Sequence, residues 1–286
     1  MFTKDFATNI LAGVGQGQPA FVAQSVTAMA QFLTPHIAFW NAIFATIQVL
    51  IGIGLLIPRT VKPALAVSFV WVVLVWWLAE AFGQMLGGSA TIVSGAPGAV
   101  LLYGLIGALV WPTGGSKEVS ASASGPFGDF GGRIVWAGVW ITDAVLQFLP
   151  DNHAKGALSS AITAGASGEP SLLASISNHA GHAIQGHGTL VAIILGFAEV
   201  AIGLGALSRR PNIALLSGAA LALVIWIVGQ DLGGIFTGQG TDPNAGPLYI
   251  LLALTCYRWP QFTAAKMPAD AARVSEVALD QLATGV

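Results

Sequence analysis

The sequence predicts an all-α membrane protein, a polytopic helix bundle made of two four-helix repeats that point in the same direction. Hydrophobic residues make up 55% of the chain, charged residues only 8%, and the mean hydropathy is +0.74. Soluble domains carry about 25% charged residues, so a soluble fold is excluded. The apolar residues also form seven runs that recur along the chain, which predicts both the spans and the repeat.

Each span needs about 20 apolar residues to cross the hydrocarbon core, and fewer where the bilayer thins. Seven runs fit this requirement, of which the third and the seventh are the shortest. They cover Ile37 to Ile57, Ala64 to Leu86, Gly98 to Trp111, Ile134 to Leu149, Gly188 to Leu207, Ile213 to Phe236 and Pro247 to Trp259.

Positive charge predicts the orientation, because Lys and Arg are concentrated in cytoplasmic loops. Seven spans with an outer N-terminus leave only Lys4 and Lys155 outside. The inner side then holds Arg59, Lys62, Lys117, Arg133, Arg209, Arg210, Arg258, Lys266 and Arg273. We therefore expect a multi-pass protein of the cell membrane with a cytoplasmic C-terminus.

A tandem repeat relates the two halves of the chain. A shift of 151 residues aligns Lys4 with Lys155, Pro19 with Pro170, His36 with His187, Gly52 with Gly203, Gly54 with Gly205 and Arg59 with Arg210. A shift of 150 then aligns Ala64 with Ala214, Trp76 with Trp226, Gly83 with Gly233, Gly88 with Gly238, Thr91 with Thr241 and Pro97 with Pro247. Because Gly and Pro impose backbone geometry, their shared register predicts two copies of one fold.

The second copy begins with the span Ile134 to Leu149, which has no counterpart in the first copy. We expect a first repeat of three spans (1–112), a cytoplasmic linker (113–132), a second repeat of four spans (133–260) and a cytoplasmic tail (261–286). Either the absent helix is encoded upstream of Met1 or another chain supplies it. Repeats of four spans share one orientation, so an axis along the membrane normal should relate them.

Three segments carry a family resemblance: residues 48–59 (QVLIGIGLLIPR), 77–88 (WLAEAFGQMLGG) and 229–243 (GQDLGGIFTGQGTDP). They resemble DoxX-like membrane proteins, which are four-helix units about one repeat long, and the chain looks like a fused pair of them. The resemblance implies a membrane subunit associated with thiosulfate oxidation by quinone, or with thiol and oxidant defence. It assigns no catalytic residue here.

Carboxyl side chains at membrane depth are candidates for function, because burying them in lipid is costly. Four occur: Glu80, Asp143, Glu199 and Asp231. The repeat aligns Glu80 with Gln230 and Gln48 with Glu199, so each pair combines an acid with an amide. An amide can donate a hydrogen bond to a carboxylate across the axis, which avoids two facing charges. The alternative is that protonated acids only bridge helices.

The polar residues are concentrated toward the outer side, which favours an outward-facing site over a complete transport path. Matched outer loops add Thr91, Thr241 and Asp242 as candidates for binding a small molecule, although turn formation also explains them. The stretches Phe6 to Leu33 and Ala157 to Ile184 are predicted to be amphipathic helices at the outer interface that cap this site.

Histidines also lie on the outer side, and imidazole suits copper, zinc or haem iron. The candidates are the repeat pair His36 and His187, together with His179 and His182 at helical spacing. The alternative is that these side chains simply face the water boundary.

The leading functional hypothesis is a membrane subunit that binds quinone or another small redox partner and works with other membrane or membrane-associated subunits. A small-solute transporter or proton-linked permease is the second hypothesis, and a structural subunit is the third. Whether the chain is an enzyme stays open. A net charge of −2 with eleven Lys and Arg excludes nucleic acid as a partner. The lone Cys256 excludes dithiol chemistry within the chain.

Overall fold

The computed structural model describes residues 6–113, 125–238 and 240–259, and all regular structure in these ranges is helical. The predicted all-α class is therefore confirmed. We call residues 6–113 the first half and residues 125–259 the second half. The predicted cytoplasmic tail, most of the predicted linker and Lys4 lie outside the described residues.

The first half contains five α-helices with short 3₁₀ or π-helical turns between them. A π-helical turn (Phe6–Leu11) leads into the single turn α1 (Ala12–Val14), and then come α2 (Ala20–Leu33), a 3₁₀ turn (Thr34–His36), α3 (Ile37–Leu56), α4 (Val61–Leu78), 3₁₀ turns at Ala81–Gly87 and Ile92–Ser94, and α5 (Ala99–Leu109).

The second half follows the same order with one additional long helix at its start. It contains α6 (Gly128–Gln147), a 3₁₀ turn (Pro150–His153), α7 (Ala157–Gly165), α8 (Ser171–Ala183), α9 (Gly188–Gly205), α10 (Pro211–Val228), a 3₁₀ turn (Asp231–Gly234) and α11 (Ala245–Cys256). The stretches predicted to be amphipathic helices are helical in both halves.

Four helical stretches are long and apolar enough to cross a membrane: Ala20–Leu56, Val61–Gly87, Gly188–Gly205 and Pro211–Val228. These stretches support a multi-pass membrane protein. The apolar helices α5 and α11 are shorter, as the sequence predicts for the third and seventh runs. Helix α6 has 20 residues, but Asp129, Arg133 and Asp143 lower its hydropathy.

Two predicted spans end earlier than the sequence indicates. The run from Ala64 to Leu86 is helical only to Leu78 in α4, and the run from Ile213 to Phe236 only to Val228 in α10. Both helices stop because the chain turns back through left-handed backbone conformations a few residues later. Hydropathy stays high through these turns, so it does not reveal where the helix ends.

The helices of each half pack as neighbours in sequence order. In the first half α3 packs along α4 and α4 along α5, and in the second half α6 packs along α9, α9 along α10 and α10 along α11. The α5–α11 contact joins the two halves. Trp136, Trp140 and Tyr249 are fully buried where α6 meets α11, and they form the centre of the largest apolar core.

Local contacts repeat between the halves. Trp76 Nε1 donates to the carbonyl oxygen of Pro97 at 2.8 Å, and Trp226 Nε1 donates to that of Pro243 at 2.7 Å. At the other end of these helices, a Cβ on Gly54 would lie 2.8 Å from Ala64 Cβ, and a Cβ on Gly205 would lie 2.8 Å from Ala214 Cβ.

These contacts correct the alignment of the loops before α5 and α11. The sequence comparison pairs Pro97 with Pro247 at a shift of 150, whereas the tryptophan contacts pair Pro97 with Pro243 at a shift of 146. Helices α5 and α11 begin at Ala99 and Ala245, which are also separated by 146 residues. The loop of the first half is therefore four residues longer, and the pairing of Pro97 with Pro247 is wrong.

Candidate functional site

A tight chain reversal follows α4 and α10 at the same relative position. Ala81, Phe82 and Gly83 have φ values of 46°, 58° and 64°, and Asp231, Leu232 and Gly233 have φ values of 46°, 54° and 76°. A left-handed backbone costs a residue with a side chain roughly 1–2 kcal/mol. Such conformations persist only where the surrounding contacts fix them, and they occur often at functional sites.

Each reversal is anchored by the residue just before it. Glu80 Oε1 accepts a hydrogen bond from the Val100 amide at 3.1 Å, and Gln230 Oε1 accepts one from the Gly246 amide at 3.0 Å. Both acceptors therefore bind free amides in the first turn of the next helix. Glu80 and Gln230, which the sequence aligns, therefore make equivalent contacts, but these contacts do not place an amide opposite an acid.

The two anchors differ in their second polar atom. Gln230 Nε2 donates to the carbonyl oxygen of Ile92 at 2.7 Å, so this buried amide ties the second half to the first. Glu80 Oε2 is buried and has no hydrogen-bond partner in the described part of the chain. A Cβ on Gly98 would lie 2.3 Å from this oxygen, and Gly98 has a φ of 108°. Only glycine therefore leaves room for the free carboxylate oxygen.

Glu80 lines a cleft of about 230 Å³ that both halves form together. The first half contributes Glu80, Gln84, Ser94 and Gly98, and the N-terminal helical segment contributes Ile10 and Val14. The second half contributes Gly240, Thr241, Asp242 and Asn244. This arrangement agrees with the prediction that the Phe6 to Leu33 stretch caps a polar site.

A second carboxylate lies in the same cleft. Asp242 accepts hydrogen bonds from Thr241 Oγ1 at 2.9 Å and from the Asn244 amide at 2.7 Å, which fix its position in the loop before α11. Its charge interacts with that of Glu80. The cleft therefore presents two acidic groups from different halves, and it suits a ligand that donates hydrogen bonds or carries positive charge.

A separate polar cluster is buried inside the second half. Tyr249 donates to Asp143 and also to the carbonyl oxygen of Ala96, the latter at 3.2 Å. Glu199 is close enough to interact electrostatically with both side chains. All three side chains are fully buried. Because Ala96 follows Gly95, which lines the cleft, this cluster lies directly behind the cleft wall.

Several atoms of this region have no protein partner within the described residues. They are both oxygens of Glu199, Oδ1 of Asp143 and both amide atoms of Gln147. Buried polar atoms are normally satisfied, so a group of unsatisfied ones marks a place for water, protons or a ligand. Sequence reasoning identified Glu199 and Asp143 from their charge but missed Tyr249 and Gln147, because polar residues without charge give no signal within an apolar run.

Asp231 occupies a third location. It is buried and accepts a hydrogen bond from Ser177 of α8, beside Glu169 in the turn before that helix. Burial raises the pKa of Glu169 above its ordinary value, and the neighbouring charge of Asp231 raises it further. This contact holds the α7–α8 segment against the end of α10 and does not line the cleft.

The remaining predicted site residues are dispersed. Gln48 is exposed on α3, so the prediction that it is buried like Glu199, with which the repeat aligns it, is wrong. The physical reason is that α6 covers Glu199, whereas no described helix covers Gln48. Thr91 is buried and forms a reciprocal cap with Ser94, so its role is in the turn. Thr241 and Asp242 are exposed at the cleft, as predicted.

The four candidate histidines are exposed. His36 and His187 immediately precede α3 and α9, and His179 contacts Ser175 within α8. Across the residues that the structure describes, no group of three or more His, Cys, Asp or Glu side chains is arranged to hold a metal ion.

Asn244 and Gly98 are cleft residues that sequence reasoning missed. They occupy equivalent positions before α11 and α5, and both have positive φ, 66° and 108°. The signal that could have found them is the corrected shift of 146, which aligns an asparagine with a glycine, the residue types that most readily adopt this backbone.

Comparison with protein families, curated proteins and solved structures finds no match for the chain.

Proposed function

We propose that the chain is a multi-pass membrane protein of two DoxX-like units in one orientation, with the cleft and the N-terminus on the outer side. The paired reversals, the paired tryptophan contacts and the equivalent anchors Glu80 and Gln230 support the duplication. The distribution of Lys and Arg supports the orientation. In this arrangement the first unit comprises α3 to α5 and the second comprises α6 and α9 to α11.

The cleft binds a small ligand that donates hydrogen bonds. The observation that carries this proposal is the buried, unpartnered Oε2 of Glu80, whose other oxygen is already held by Val100. An unpaired buried carboxylate oxygen is costly, and a donor from a ligand removes that cost. Asp242 offers a second acceptor to the same ligand.

The head group of a reduced quinone is the ligand class that best fits this geometry. A quinol carries two hydroxyl donors, whereas an oxidised quinone carries only acceptors, which would face the acidic groups unfavourably. The cleft of about 230 Å³ is smaller than the roughly 300–1,000 Å³ of drug-sized pockets, which favours a single ring. The isoprenoid tail would remain in the lipid, and a separate oxidoreductase subunit would take the electrons.

The test is binding of a short-chain quinol and its oxidised form to the protein in lipid nanodiscs. We expect binding of the quinol and at least tenfold weaker binding of the quinone, a difference of about 1.4 kcal/mol. Glu80→Gln should lose most quinol binding and remain folded, because the amide oxygen can still accept from Val100. Glu169→Gln is the matched control, since it removes an outer carboxylate that does not line the cleft. Equal binding to Glu80→Gln and the wild type would refute the proposal.

A small cationic solute is the second candidate, favoured by the two carboxylates whose charges interact in the cleft. The buried Tyr249–Asp143 pair behind the cleft wall supports proton-linked movement. Uptake of methylammonium into proteoliposomes tests this candidate, and Asp242→Asn should abolish the uptake. The structural-subunit hypothesis would remain if the protein neither binds quinol nor takes up methylammonium and holds a partner chain tightly.

A further inference from the structure

The contact between the α7–α8 segment and the end of α10 has a counterpart in the first half that is built from different residues. Pro19 and Pro170 immediately precede α2 and α8, and their backbones have the same conformation, with φ values of −52° and −53°. Each of these helices packs against the reversal that follows α4 or α10. Gln18 and Glu169, which come just before the two prolines, therefore occupy equivalent places.

In the first half, this contact pairs a donor with an acceptor and is otherwise apolar. Gln18 Nε2 donates to the carbonyl oxygen of Gln84, within the reversal, at 3.2 Å. Ala81, where the reversal begins, is buried in an apolar cluster with Val22 and Val26 of α2.

In the second half, the equivalent places present acceptors. Glu169 corresponds to Gln18, and an ionised carboxylate cannot donate to the carbonyl oxygen of Gly234, the counterpart of Gln84. Asp231 corresponds to Ala81, and its Oδ1 accepts a hydrogen bond from Ser177 of α8. Its Oδ2 and both carboxylate oxygens of Glu169 are buried and have no hydrogen-bond partner among the described residues. The amide donor of the first half has thus been replaced by a group of unpartnered acceptors.

The surroundings of these oxygens bring them together. Asp231 is only 2% exposed, and Gly165 lies so close to its Oδ2 that a Cβ there would overlap it. A Cβ on Gly234 would lie 3.9 Å from Glu169 Oε1 and 3.6 Å from Thr237 Oγ1. The carboxylates of Glu169 and Asp231 are close enough to repel each other. A positive ion between them would remove the repulsion and give the buried oxygens a partner.

We propose that Glu169 and Asp231 bind a calcium ion between the α7–α8 segment and the reversal that follows α10. The ion takes the place of the Gln18 amide group, which bridges the same two elements in the first half. Calcium binds about six to eight oxygens, and backbone carbonyls and water commonly complete the shell that carboxylates begin. Two acids therefore suffice for this ion, and the carbonyl oxygen of Gly234 is available as a further ligand.

The ligand atoms favour calcium over other metal ions. Copper and zinc prefer nitrogen or sulfur ligands, whereas the unpartnered atoms here are carboxylate oxygens. Magnesium requires a nearly regular octahedral shell and gives up its water reluctantly. The orientation given under the proposed function places the site on the outer side, but calcium binding itself does not depend on that orientation.

Calorimetric titration of calcium chloride into the full chain, in nanodiscs of a neutral phosphatidylcholine lipid, tests the site. We expect one ion per chain with a Kd of roughly 10⁻⁴–10⁻³ M, the range of extracellular calcium modules. Glu169→Gln and Asp231→Asn should each weaken binding by about tenfold or more. Asp151→Asn is the matched control, because Asp151 is an exposed acid of the same half outside this contact. No saturable binding by the wild type, unchanged binding by Glu169→Gln, or tighter binding of magnesium than of calcium would overturn the proposal.

Melting temperatures distinguish loss of the ion from loss of the fold. In EDTA, Glu169→Gln should melt above the wild type, because the introduced amide can donate to Gly234 as Gln18 donates to Gln84. Calcium should then raise the melting temperature of the wild type and of Asp151→Asn, and leave that of Glu169→Gln unchanged. An equal rise in all three proteins would contradict the site.

The proposed function can be tested separately from this site. Neither Glu169 nor Asp231 lines the cleft, so quinol binding by Glu169→Gln distinguishes failure of the calcium site from failure of the proposed function.

Discussion

At the scale of single residues, the cleft depends on a glycine beside a carboxylate. Gly98 has a φ of 108°, and a Cβ there would lie 2.3 Å from Glu80 Oε2. Gly98→Ala should lower stability by roughly 1–2 kcal/mol through backbone strain alone. It should also displace Glu80 and weaken quinol binding. Thermal unfolding and a binding titration check both effects, and Gly138→Ala, at an open helical site, should leave binding unchanged.

The buried tyrosine of the second half permits a different residue-scale prediction. Tyr249 satisfies one oxygen of Asp143 and also bonds the Ala96 carbonyl. Tyr249→Phe removes the donor and leaves a buried acceptor unsatisfied, which costs about 1–3 kcal/mol. We expect a lower melting temperature in detergent and partial recovery when Asp143→Leu is added, because both polar partners are then absent.

Tyr103 provides the comparison for this variant. It lies 146 residues before Tyr249, is only partly buried, and its hydroxyl has no hydrogen bond within the described residues. Tyr103→Phe should therefore change the melting temperature much less than Tyr249→Phe. Equal losses in the two variants would mean that the hydroxyl of Tyr249 adds nothing specific.

At the scale of helices, the sequence predicts the positions of the apolar elements well and their outer ends poorly. Helix α3 begins and ends within one residue of its predicted span, and α9 within two. The ends of α4 and α10 are missed by eight residues each because Ala81, Phe82 and Leu232 are apolar, yet the chain turns back at them. A reversal fixed by contacts with a later loop cannot be inferred from local hydropathy.

The contact between α8 and the end of α10 should depend on pH. Burial and the charge of Asp231 raise the pKa of Glu169 in the folded protein above its unfolded value of about 4.3. The native state then binds more protons than the unfolded state, so this group lowers stability as pH rises from the unfolded pKa through the folded one. Glu169→Gln should flatten the dependence and raise the melting temperature at neutral pH relative to the wild type. Melting curves recorded from acid to neutral pH measure the difference, and parallel curves for both proteins would contradict it.

At the scale of the whole molecule, the candidate site is predictable only in part. Charge in an apolar run identifies Glu80, and the repeat identifies its partner position Gln230. The cleft itself forms where two loops of unequal length meet, and a constant sequence shift misaligns those loops by four residues. Ser94, Gly98 and Asn244 therefore escape detection. Gln48 is aligned with Glu199 by the sequence, but its exposure becomes evident only by comparison with the packing of α6 on α9.

The orientation of the two halves gives the last prediction. If both units point the same way, Arg59 and Arg209, in the loops α3–α4 and α9–α10, lie on the cytoplasmic face, and Lys155 lies on the outer face. Single cysteines at positions 59 and 209 should react with a membrane-impermeant maleimide only after the cells are permeabilised, and a cysteine at position 155 should react without permeabilisation. A parallel repeat requires the first two positions to behave alike, whatever their absolute orientation. Opposite labelling of positions 59 and 209 would place the two reversals on opposite sides of the bilayer, and Glu80 and Asp242 could not then share one cleft.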